Sequence, residues 1–123
     1  MIFKFTKDNP DAEKRKQECD QIINNFPDKI PIICEKDPDC REIADIDKTK
    51  YLVSSNLTVA QFTFMIRKRL NVKEEEKAFF LLVDGRFSIT GDIPLSQVYQ
   101  NHKNPEDGFL YIVYTGQIFM GSK

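Results

Sequence analysis

Tryptophan is absent from this chain, histidine occurs once, and glycine supplies only 5 of 123 residues. No Gly-rich phosphate loop can be drawn from so few glycines, and no zinc motif is present. The single histidine, His102, lies in a polar, turn-like stretch with no obvious partner, so no nucleophile–base constellation emerges. Three cysteines (Cys19, Cys34, Cys40) are an odd number without C-x-x-C spacing, which suits a reducing compartment better than a disulfide scaffold. No apolar run approaches the roughly 18 residues of a membrane span. Met1-Ile2-Phe3-Lys4-Phe5 is too short and too soon charged for a signal peptide. Neither sign of charge is in excess: 18 basic residues face 19 acidic ones, and the pI is about 5.8. Binding dominated by phosphates is therefore not expected, and nucleic acid is not an expected partner. These absences argue against an enzyme and predict a cytoplasmic protein with no cofactor and no metal.

What is present is the balance of a globular domain, with 41% hydrophobic and 30% charged residues. The length suits one domain. Asn9-Pro10 reads as a helix start, with Asn as cap and Pro in the first turn, and Asp11 and Glu13 favour the positive helix end. The segment that follows, to Asn25, has a narrow apolar stripe and is expected to lie on the surface of the rest. Its Lys14-Arg15-Lys16 cluster reads as a solvated face. Phe26-Pro27-Asp28 stops the helix. Lys29–Lys36 is a strand in which Pro31, lacking a donor, is expected to border solvent or a bulge. Thr49–Val53 is a second strand. Thr58 with Gln61 forms a capping-box signature ahead of an amphipathic helix over Val59–Leu70. Ala78–Val83 is a strand turned by Asp84-Gly85 into Arg86–Ile89. A short helix over Pro94–Gln100 and a buried strand over Phe109–Thr115 complete the string. The order ββαβ(α)β predicts an α+β fold, a β-grasp sheet wrapped around one helix with an added N-terminal helix.

Binding is the chemistry the residues favour. Lys48-Thr49-Lys50-Tyr51-Leu52-Val53 alternates basic and apolar positions along a strand. At a sheet edge such a strand accepts an extended peptide, with apolar residues lining pockets and lysines drawing acidic flanks. The same pattern also describes an ordinary edge strand whose lysines keep it from self-pairing.

Five segments occur in one order and spacing: Phe26–Ile33 (FPDKIPII), Asp47–Val53 (DKTKYLV), Ile66–Leu70 (IRKRL), Ala78–Val83 (AFFLLV) and Asp107–Tyr114 (DGFLYIVY). Together they resemble the ubiquitin-like autophagy modifiers, the group that includes the GABA-receptor-associated protein and microtubule-associated light chain three. The resemblance runs from about Lys7 to Gly121. It implies a ubiquitin-like β-grasp with two N-terminal helices. The corresponding divisions are a helical extension over 1–28, a core over 29–116 and a processed tail over 117–123.

The resemblance further implies that a cysteine protease trims the chain between Gly121 and Ser122. Activating and conjugating enzymes then join Gly121 to phosphatidylethanolamine on the autophagosomal membrane. A glycine suits a narrow protease or thioester site that a side chain would block. Carried over position by position, an aromatic-x-x-aliphatic motif of a cargo receptor docks in two pockets. Glu18, Ile22, Pro31, Lys50, Leu52 and Phe109 line the first. Tyr51, Val53, Phe62, Met65 and Ile66 line the second, with Arg69 at its rim, and Lys48 adds to the basic edge. The chain departs from the family pattern at Met120, where an aromatic residue commonly precedes the glycine, and at Ser54, where proline is common. A non-conjugated β-grasp module binding peptides or tubulin is the alternative function.

Overall fold

The strand-forming runs pair into one five-stranded sheet in the computed structural model, which describes residues 3–73 and 78–116. In chain order the elements are α1 (Lys4–Asp8), α2 (Ala12–Asn25), β1 (Lys29–Lys36), β2 (Lys50–Ser54), α3 (Val59–Leu70), β3 (Phe80–Val83), β4 (Phe87–Ile89), α4 (Leu95–His102) and β5 (Leu110–Thr115). The sheet order is β2-β1-β5-β3-β4, with β1 and β5 parallel and the other pairs antiparallel. This is the expected arrangement: β5, the most apolar strand, lies at the centre.

Local chemistry explains why these elements form where they do. The Thr58 hydroxyl accepts from the Gln61 amide at 3.1 Å, and the Gln61 side chain accepts from the Thr58 amide at 2.9 Å. Two of the four donors left open at the α3 N-terminus are thereby satisfied. Asn71 closes the helix in the left-handed region at φ 59°, a conformation asparagine tolerates. Asp84 (φ 54°) and Gly85 (φ 73°) make the two-residue turn core that returns β3 into β4.

Three expectations are corrected. The N-cap of α2 is Asp11, which accepts from the Glu13 and Lys14 amides, and not Asn9. Asn9 is taken up by α1, a helix too short to leave a periodic signal. It closes α1 by donating from both its amide and its side chain to the Phe5 carbonyl. Arg15 is not a solvated member of a basic cluster. It is buried, its Nε 2.9 Å from Asp107 Oδ2 and its Nη1 donating to the Asn9 carbonyl. Pro31 is buried rather than solvent-bordering. Asp28 accepts from Ser55 and Cys34 donates to Thr49, so even-numbered β1 residues bond toward β2. Pro31 thus turns its donorless nitrogen to the other side, one residue before pairing with β5 begins at Ile32.

The sheet has two covered faces. One carries Ile32, Cys34, Tyr51, Val53, Leu110, Ile112 and Tyr114, packed with Phe62 and Ile66 of α3. The other carries Ile33 and Phe109, packed with Phe5 of α1 and Cys19 of α2. The three cysteines are buried and free. Burial pushes the Cys34 thiol well above its ordinary range and the Cys19 thiol up to about 11, so neither is a reactive thiolate near neutrality.

Candidate functional site

Strand β2 is an edge: among the described residues, β1 flanks it on one side and nothing flanks it on the other. Thr49 and Ser55 bond to β1 at either end, so odd-numbered β2 residues address β1. The peptide groups of Lys50 and Leu52 therefore point outward, as a pairing strand requires. Side chains alternate across the strand. Lys50 and Leu52 lie on the face of α1 and α2, and Tyr51 and Val53 on the face of α3.

On the first face, Lys50 Nζ is ion-paired with Glu18 of α2 and lies 5.2 Å from the ring centroid of Phe5. Leu52 is 38% exposed and stands opposite Pro31 in the ladder. Ile22 is partly buried against the cluster containing Phe109. These residues lie together beside the edge, but Phe109 itself has 0% exposure. It is fully covered and lines no open surface.

On the second face, the Tyr51 ring meets Phe62 edge-on at 5.8 Å, and the Tyr51 hydroxyl donates to the Lys48 carbonyl at 2.5 Å. Burial raises the Tyr51 phenol far above its ordinary value and keeps it a donor. Lys48 Nζ sits 5.3 Å from the same ring. Val53, Phe62 and Ile66 are buried, whereas Met65 is 39% exposed. Arg69 donates to Asp47 through Nε (2.8 Å) and Nη2 (3.4 Å), and this pairing holds the Asp47 carboxyl below its ordinary range. Met65 and Arg69 are thus the accessible members of this set, and Val53, Phe62 and Ile66 its buried ones.

The matching family model is that of the autophagy protein Atg8, ubiquitin like, over residues 14–121. The chain belongs to the Atg8 family. It is 48% identical over 116 residues to autophagy-related protein 8 of Schizosaccharomyces pombe, covering 94% of this chain and 93% of that protein. It is likewise 48% identical over 118 residues to autophagy-related protein 8e of Arabidopsis thaliana, covering 96% and 93%. To autophagy-related protein 8 of Neosartorya fischeri it is 47% identical over 121 residues, 98% of each chain. As an Atg8 family member the chain is a ubiquitin-like autophagy protein.

Gly121 and Ser122 lie outside the described residues, as do Phe119 and Met120. Two neighbours of the clefts escaped the sequence reading. Ile33 shares the face of Pro31 by simple alternation and was legible on that ground. Phe5 had no such signal, since α1 is five residues long and its partners are distant in sequence. His102 does have a partner, contrary to expectation: its Nδ1 lies 2.7 Å from Asp84 Oδ2 on the β3–β4 turn. No group of three or more potential metal ligands occurs among the described residues.

Proposed function

We propose that this Atg8 family member is a conjugated adaptor, not a catalyst. In this reading a cysteine protease removes Ser122 and Lys123, and the Gly121 carboxyl is activated as a thioester. Transfer to the amine of phosphatidylethanolamine follows. No described helix is long and apolar enough to cross a membrane. The two acyl chains of the lipid provide the anchor, at about 0.8 kcal/mol per buried methylene. The chain is cytoplasmic until conjugated and then resides on the autophagosomal membrane. The helical extension 1–28 and the core 29–116 present the docking surface, and the tail 117–123 carries the conjugation chemistry.

The observation that supports the adaptor role is the β2 edge, with outward peptide groups and side chains that alternate between the two sheet faces. An extended peptide added there sends alternate side chains to one side, so residues three apart reach different clefts across the strand. Its aromatic residue enters the cleft of Glu18, Ile22, Pro31, Lys50, Leu52 and Phe109. Its aliphatic residue enters that of Tyr51, Val53, Phe62, Met65 and Ile66. Acidic flanks meet Lys48 and Lys50.

Flotation of wild type and Gly121→Ala with autophagic membranes, alongside intact mass of the processed chain, tests the anchoring. The expected result is loss of Ser122-Lys123 from the wild type and loss of membrane association in the variant. A variant that floats as well as the wild type overturns conjugation at this glycine.

A further inference from the structure

We infer that α1 is a gate on the aromatic cleft. The side chain of Phe5 occupies apolar space above Phe109, and the aromatic anchor of a docking peptide displaces it. The inference rests on the reading of β2 as a docking edge and concerns how that edge is regulated.

Four observations converge on Phe5. Its ring packs edge-on against Phe109, centroids 5.3 Å apart, and it is only 8% exposed. With Cys19 and Ile33 it forms the small cluster that closes the cleft floor. Phe109 has no exposed surface while Phe5 stays in place. Lys50, the charged residue of the docking edge, lies 5.2 Å from the centroid of this ring, so the edge and the gate are in contact. A ligand carboxylate that draws Lys50 outward loosens the cover on Phe5 in the same movement.

The hold on α1 is narrow. Five residues cannot sustain a helix alone, because nucleation costs more than one turn of hydrogen bonds returns. The segment is kept in place by the buried Glu35 carboxylate on β1. Its two oxygens accept from the Lys4 amide at 2.7 Å and the Phe5 amide at 2.9 Å. Phe3 adds an edge contact with Tyr111 at 4.9 Å.

Phe5 also has somewhere to go. α1 also borders an open, largely polar cleft of about 760 Å³ whose lining includes Phe5, Lys7, Asp8, Glu35, Pro38 and Ile46. A close-packed interior offers no such room. Here a phenylalanine ring that leaves the Phe109 floor has open space to enter, with Pro38 and Ile46 as its apolar contacts in an otherwise polar lining.

A closed gate lowers the apparent affinity by the fraction of molecules that are open. Calorimetry with a short acidic-flanked peptide carrying an aromatic-x-x-aliphatic core is the test, on wild type, Phe5→Ala and Glu35→Gln. Phe5→Ala removes the occupant, while Glu35→Gln weakens its latch without touching the cleft. Both are expected to bind more tightly, by about tenfold if one molecule in ten is open at rest. In the wild type, saturating peptide is expected to speed hydrogen exchange at the Lys4 and Phe5 amides as they leave Glu35. Binding to the wild type with equal or weaker affinity in both variants, or with no change in exchange at those amides, overturns the gate and leaves the docking edge standing. Absence of binding in all three proteins overturns the docking reading and the gate with it.

Discussion

Arg15 and Asp107, 92 positions apart, meet in a buried charge-assisted hydrogen bond of 2.9 Å that ties α2 to the loop before β5. Asp107 also accepts from the Tyr111 hydroxyl at 2.5 Å and, through its other oxygen, from the Phe109 amide at 2.9 Å. The carboxylate hydrogen bond raises the Arg15 guanidinium further above its ordinary value. Removing one partner of a buried pair leaves the other charge uncompensated. Arg15→Ala is therefore expected to cost about 3–5 kcal/mol, read from urea unfolding. A cost below about 1 kcal/mol, typical of exposed pairs, shows that Arg15 is solvated in solution.

Alkaline pH is expected to destabilise the fold. Burial is the main cause that raises the Tyr51, Tyr99, Tyr111 and Tyr114 phenols and the Cys19 and Cys34 thiols. Tyr99 is pushed up to about 12 and Cys19 to about 11, from ordinary values of 10.0 and 9.0. The unfolded chain releases these protons first, so stability is complete below the ordinary values and declines as pH rises through them. Unfolding midpoints between about pH 8 and pH 11 should fall progressively. A midpoint unchanged over that span contradicts the burial of these groups.

The docking edge predicts two separable losses. Leu52→Ala removes apolar surface from the aromatic cleft and is expected to weaken an aromatic-x-x-aliphatic peptide by roughly tenfold. Lys50→Ala is expected mainly to flatten the salt dependence of association. Calorimetry and stopped-flow at two ionic strengths distinguish them. Unchanged affinity in both variants removes β2 as the site.

Thr58→Ala opens the reciprocal cap of α3 and leaves the Gln61 amide without its partner. The expected cost is about 1 kcal/mol in thermal or urea denaturation. Thr58→Ser retains the hydroxyl and is expected to recover most of it.

Features carried by neighbours in sequence were legible; those joining distant segments were not. The span of α3 and its cap, the Lys29–Lys36 strand and the Asp84-Gly85 turn follow from periodicity and turn chemistry within a few residues. The alternation Lys50-Tyr51-Leu52-Val53 likewise predicted which side chains share a face. Nothing within a short window indicates that Glu35 holds the start of α1, since the hydrogen bonds join residues 30 and 31 positions apart. Nor does the charge pattern of Lys14-Arg15-Lys16 single out Arg15, because its partner belongs to the far end of the chain. The closure of Phe109 was hidden for the same reason: its cover comes from α1 and α2.

The parallel pairing of β1 with β5 also sets the order in which the molecule can form. β5 sits between β1 and β3, yet it is the last of the described strands to be synthesised. Until it arrives, β1–β2 and β3–β4 are two separate hairpins, and an isolated hairpin is marginal in water. Joining position 32 to position 110 closes a loop that spans most of the chain. Folding is thus governed by a late, long-range event and belongs to the slower class of small α/β proteins. On the ribosome, the sheet assembles only after nearly the whole described chain has emerged, leaving the β5-facing edge of β1 unpaired until then.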